Sequence, residues 1–133
     1  MSCWGENTYG NLGGTLAETS TAPLAVAGVS ATRLAVGPDH SCVVQAAGTV
    51  RCWGANADGQ LGNGNRLDSL IRSGNDGSPT GYRPMVDVAG LGSVALVVAG
   101  EGHTCASRTN GTIVCWGENS AGQLGNGSTT AQL

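Results

Sequence analysis

The chain has 133 residues, 23 of them glycine, and its 6 basic and 9 acidic side chains leave a net charge of −3. No Lys/Arg cluster supplies the basic stripe that neutralises nucleic-acid phosphates, and no run approaches the ~20 apolar residues of a membrane-spanning helix. Met1-Ser2-Cys3-Trp4 opens without the basic and apolar regions of a secretory leader, which says nothing of residues further upstream.

In chain order, residues 1–15 read as the end of a unit: Cys3-Trp4-Gly5-Glu6-Asn7 and a Gly-rich loop. Thr15 to Thr21 is polar, and Pro23 opens an apolar run, Leu24–Val29, that reads as a strand with Pro23 at its edge. Arg33–Val36 is a second short strand, closed by Gly37-Pro38-Asp39. Ser41–Gln45 and Thr49–Trp53 are a third and a fourth, joined by Ala46-Ala47-Gly48. Cys52-Trp53-Gly54-Ala55-Asn56 then leads into Gly59-Gln60-Leu61-Gly62. After an unusual segment, Tyr82–Val88 restarts the pattern with Pro84 in the place of Pro23, and Val94–Val98 aligns with Arg33–Val36. The last unit runs through His103-Thr104-Cys105 and Thr109-Asn110-Gly111 to Cys115-Trp116-Gly117-Glu118-Asn119 and Gly122-Gln123-Leu124-Gly125.

The chain is therefore one unit written about two and a third times. Cys3 and Cys52 stand 49 positions apart (52 − 3), and Cys52 and Cys115 stand 63 apart (115 − 52). A fixed period of this kind means a structural unit stacked on its neighbours. The divisions are an incomplete unit at 1–15, a unit at 16–64, a unit at 65–127 with an insert at 65–81, and the start of another at 128–133. Short apolar runs between Gly, Pro and Asn turns predict an all-β chain with almost no helix. An open end leaves faces and strand edges uncovered, so further repeats or self-association are expected to complete the assembly.

The two three-residue loops, 46–48 and 109–111, put glycine third, where a type I turn with a G1 bulge wants a left-handed residue. Counting back from the turn pairs Gln45 with Thr49 and sets Cys42 opposite Cys52. The same count sets Cys105 opposite Cys115. Such non-hydrogen-bonded pairs bring Cα atoms to ~4.5 Å, within the range a disulfide accepts. Three readings stay open: a staple in each unit, formed in an extracytoplasmic, oxidising setting; reduced thiols buried as small hydrophobes; or thiolates that join His40 on a metal, although zinc sites usually need four ligands at loop-like spacings. Cys3 is the odd one, and its partner is expected upstream of these residues. A Cys-His catalytic dyad needs an exposed, low-pKa thiolate. His40 and His103 instead recur at the same place in each unit, as structural positions do.

The pattern His-x-Cys followed by Trp-Gly-x-Asn-x-x-Gly-Gln-Leu-Gly resembles the repeat of the regulator of chromosome condensation family. The resemblance implies an incomplete β-propeller: two four-stranded antiparallel blades plus partial blade strands at both ends. It makes Trp4, Trp53, Trp116, His40, His103, Leu12, Leu61 and Leu124 the expected core of the stacked repeats. The founding member is a guanine-nucleotide exchange factor for a small GTPase. The favoured function is a non-catalytic scaffold that presents rim loops to a protein partner, with no cofactor, no metal and no nucleic acid. Exchange-factor activity is the first alternative, and a metal-binding or thiol enzyme the second.

The insert at 65–81 reads either as a protruding rim loop that meets a partner, the favoured reading, or as a tolerated insertion with no role, because long loops in compact folds are usually functional or disordered. Arg66, Asp68, Arg72, Asn75 and Asp76 are its candidate contact residues. Leu67, Leu70 and Ile71, at i, i+3 and i+4, suggest one short helical turn whose apolar side covers a blade edge. Its Asn-Asp-Gly-Ser stretch is too short for a calcium loop.

Overall fold

A computed structural model describes residues 1–15, 17–67, 70–72, 79–82 and 85–132, with 70–72 and 79–82 described by backbone alone. Among the described residues eleven strands make four antiparallel sheets: β1 (Ser2–Glu6), β2 (Thr19–Ala25), β3 (Ala31–Val36), β4 (His40–Gln45), β5 (Val50–Gly54), β6 (Leu70–Arg72), β7 (Pro79–Tyr82), β8 (Val86–Asp87), β9 (Val94–Ala99), β10 (His103–Arg108) and β11 (Ile113–Gly117). The chain is an all-β arc of propeller blades.

The complete blade has the order β3-β4-β5-β8, so its outermost strand comes from the start of the next unit. The following blade holds three strands, β9-β10-β11, rather than the four expected. At the position of the fourth stands a single bridge, Gly117 to Gln132, closed by two backbone hydrogen bonds of 2.7 and 3.1 Å. The N-terminal blade is the pair β1-β2, the counterpart of β5-β8.

Turn chemistry sets the register. Gln45 N–H donates to the Thr49 carbonyl at 2.8 Å and Gly48 N–H to the Gln45 carbonyl at 2.9 Å, with Gly48 at φ 74°. Arg108, Thr112 and Gly111 repeat the arrangement, with Gly111 at φ 86°. A left-handed residue at that place is close to free for glycine and costly for others. Three pairs further on, Cys42 faces Cys52 and Cys105 faces Cys115.

Two expectations are corrected. The strand expected over Leu24–Val29 lies instead at Thr19–Ala25. Pairing with β1 (Cys3 with Leu24, Glu6 with Thr19) draws in the polar residues and leaves Ala27–Val29 outside. Pro23 is tolerated within it because β2 pairs on one side alone, as proline requires of a strand. The helical turn expected from Leu67, Leu70 and Ile71 does not form. Leu70–Arg72 is extended and pairs with Pro79–Tyr82, giving a separate two-stranded sheet. One helical turn fixes many dihedrals for a single hydrogen bond, whereas the hairpin bonds its backbone along the strand.

The core lies between the two larger blades. Ala35, Cys42, Val44, Val50 and Cys52 of one blade meet Val94, Val97, Ala106 and Trp116 of the next, and Leu61, Val88 and Leu91 belong to the same buried cluster.

Candidate functional site

The motif residues are spent on joining one unit to the next. The Asn of each Cys-Trp-Gly-x-Asn is fully buried and organises the loop after it. Asn56 Oδ1 accepts from Leu61 N–H at 3.0 Å, while its Nδ2 donates to the carbonyls of Asn65 and Leu67 at 2.9 and 3.2 Å. Asn7 and Asn119 make the same bonds in their own units. The loops so shaped turn their backbone toward the following blade. Trp53 Nε1–H donates to the Asn11 carbonyl at 2.8 Å, and Trp116 Nε1–H to the Gln60 carbonyl at 2.9 Å. His40 Nε2 lies 2.8 Å from Thr104 Oγ1, and that hydroxyl donates to the Gln60 carbonyl at 2.8 Å.

The cysteine sulfurs are at bonding distance, 2.08 Å for Cys42–Cys52 and 2.09 Å for Cys105–Cys115, with Cα separations of 4.1 Å. Neither pair then offers a thiolate to a metal or to nucleophilic attack. Cys3 is half-buried and has no sulfur partner. Among the described residues no group of three or more His, Cys, Asp and Glu side chains converges as metal ligands would.

The expected core divides unequally. Trp53, Trp116, His40, Leu12 and Leu61 are buried, and His103 and Leu124 are half-buried. Trp4 is 63% exposed, contrary to its expected core place. The reason is physical: Trp53 and Trp116 pack on the loop of the unit ahead, and these 133 residues hold no such loop for Trp4.

One rim of the arc is open. A cavity of 240 Å³ between the loops is lined by Tyr9, Asp39, Asp58, Gln60, Glu101 and Glu118 among others, with no Lys or Arg among its lining residues. Glu118 Oε2 and Asp58 Oδ2 converge on Gly102, where an added Cβ would stand 2.9 and 3.1 Å from them. Sequence reasoning singles out none of these carboxylates, because they come from unlike positions of different units. Arg66, exposed at the start of the insert, reaches the Ala57 carbonyl at 3.4 Å, and Ala57 lines the same cavity. Arg72 lies on β6 with only its backbone described, and Asp68, Asn75 and Asp76 fall outside the described residues.

Comparison with known proteins agrees with this architecture. The Regulator of chromosome condensation (RCC1) repeat matches residues 31–60 and 94–123 in one form and 47–107 in another. The human "Probable E3 ubiquitin-protein ligase HERC4" is 30% identical over 98% of this chain, which spans 12% of that protein. The Arabidopsis thaliana "Ultraviolet-B receptor UVR8" is 32% identical over 98% of this chain, which spans 28% of it. The structure of yeast RCC1 (Prp20) bound to Kap60 superposes with a TM-score of 0.78 at 20% identity, covering 98% of this chain and 31% of that one. The matched repeats and the blade architecture together establish that the chain belongs to the regulator of chromosome condensation repeat family.

Proposed function

We propose that the chain is a non-catalytic protein-interaction module that presents its rim and its insert to a macromolecular partner. The observation that carries this reading is the insert itself. The repeat accounts for the blades, but β6 and β7 form a sheet outside them, so that segment is not needed to build the repeat. The reactive side chains point the same way: His40 and the four paired cysteines are engaged in contacts within and between blades. Arg66 links the insert to the acidic rim cavity, making one surface of opposed charges. Binding energy concentrates in a few anchors, with Arg over-represented among them, so Arg72 and Arg66 are the first residues to test. Paired cysteines favour an extracytoplasmic setting, where disulfides persist.

The test removes residues 66–80 and closes the gap with glycine. Far-UV circular dichroism is expected to keep its β character, while partners captured by the intact chain from a lysate of the source organism are lost. An unchanged set of captured proteins, or an unfolded product, would contradict the reading.

A further inference from the structure

The tripeptide that accepts an N-linked glycan, Asn then any residue but Pro then Ser or Thr, occurs twice: Asn110-Gly111-Thr112 and Asn126-Gly127-Ser128. The fold treats the two differently. Asn110 is the middle residue of the three-residue loop between β10 and β11, and residues 109–112 are all exposed. Its Oδ1 accepts from Thr112 N–H at 3.1 Å and from the Thr112 hydroxyl at 2.6 Å. Its Nδ2, the atom that would carry the sugar, donates to no described residue. Asn126 Oδ1 instead accepts from the buried Asn119 Nδ2 at 3.3 Å and from Ser128 N–H at 3.0 Å. The Ser128 hydroxyl oxygen accepts from Thr130 N–H at 2.9 Å and does not turn to the Asn126 amide. Asn63, the counterpart of Asn126 one unit earlier, is half-buried beside Gly62, on which the Trp116 indole lies. A glycan at that position would stand at a blade joint.

The exposure of Asn110 belongs to its position in the blade and not to the blade's place in the chain. Ala47 is its counterpart in the preceding hairpin, and that hairpin has another blade packed on it: Val94 N–H donates to the Gly48 carbonyl at 2.9 Å. With this neighbour in place Ala46 and Ala47 are still exposed. A blade stacked on β9-β10-β11 in the same way leaves Asn110 in water. The loop also lies at the end of its hairpin opposite the acidic cavity, because the cavity residues Gly102 and Glu118 stand at the far ends of β10 and β11.

We propose that Asn110 is a glycosylation site that carries an oligosaccharide on Nδ2, covering the rim opposite the acidic cavity and leaving the acidic rim open to a partner. A glycan is bulky and solubilising and belongs on a surface, and here it costs the fold no hydrogen bond. The donor is an oligosaccharide linked to a polyprenyl diphosphate and handled by a transferase. The bond from sugar C1 to the phosphate oxygen breaks and the bond from C1 to Nδ2 forms. The lipid diphosphate leaves with the bonding pair, and one amide proton passes to a base of the transferase. The proposal rests on the extracytoplasmic setting that the paired cysteines favour, since this acceptor motif is read in secreted chains.

The test is a peptide mass map of the protein isolated from its source organism. Cleavage after Arg108, Trp116 and Leu124 separates Asn110, in 109–116, from Asn126, in 125–133. After reduction, the 109–116 peptide is expected to be heavier than its sequence by a series of sugar units, and the 125–133 peptide to have its plain mass. Thr112→Ala, made in the same organism, is expected to lose the added mass entirely, and Thr112→Ser, which keeps the acceptor motif, to retain it. Thr112 is exposed, so neither change touches the core. A 109–116 peptide of plain mass, an added mass that survives Thr112→Ala, or a glycan on 125–133 alone would overturn the proposal. Alkylating the sample before and after reduction separates two failures. Plain 109–116 from protein with Cys42, Cys52, Cys105 and Cys115 paired means that Asn110 alone fails, and with those cysteines free it means that the extracytoplasmic setting has failed with it.

Discussion

His40 shows how a single side chain is committed by its partners. Thr104 spends its one hydroxyl proton on the Gln60 carbonyl, so it can only accept from His40, and Nε2 must carry the imidazole proton. Nδ1 is then a bare lone pair, buried with no hydrogen-bond partner among the described residues. Charging the ring would put an unpaired N–H in the core. Burial, with the charge of His103 adding to it, accordingly pushes the His40 pKa down from 6.5 to about 4. The sign follows: the unfolded chain binds the extra proton first, so stability is full above the unfolded pKa of 6.5 and is lost as pH falls from there toward 4. Between pH 7 and pH 5 the loss is about 2 kcal/mol. Urea unfolding at the two pH values checks it. His40→Gln, whose amide can still donate to Thr104, is expected to lose most of that difference, and an undiminished difference in the variant would show that other groups titrate. In the sequence the histidine reads as a structural position, but Thr104 is 64 residues away and nothing local names it. The same holds for Asn7, Asn56 and Asn119, whose repetition is visible while the direction of each amide is not.

At the scale of the element, the hairpins were legible because loop length and a third-place glycine determine the pairing that follows. The insert was not. Three apolar residues at i, i+3 and i+4 satisfy a helical count, but Leu70–Arg72 is too short for its own periodicity to choose, and its partner β7 decides. The blade-to-blade joint makes a quantitative expectation. Gly62→Ala adds a Cβ at 2.6 Å from Trp116 Nε1 and at a left-handed φ, whereas Gly125→Ala meets the same φ with nothing nearby. Strain costs about 1–2 kcal/mol at either site, and overpacking adds a further ~1–3 kcal/mol at Gly62 alone. Urea midpoints should therefore rank wild type above Gly125→Ala and that above Gly62→Ala. Equal losses at the two glycines would mean that the indole is not seated on Gly62.

For the whole molecule, the repeat carries the architecture and the joints carry the stability. The order of motifs along the chain shows which blade follows which, and it located the insert. It could not show that Trp4 is in water, because a residue whose burial depends on the neighbouring unit has no signature of its own. The blades, the joints and the reading of His40 and the cysteines as structural groups all depend on one thing, the hairpin register that brings Cys42 to Cys52 and Cys105 to Cys115. Peptide mapping of the non-reduced protein tests it directly. Two short-range bonds, Cys42–Cys52 and Cys105–Cys115, with Cys3 alone alkylated, is the pattern this structure requires. A Cys42–Cys105 peptide, or five alkylated cysteines from protein kept under oxidising conditions, would contradict it.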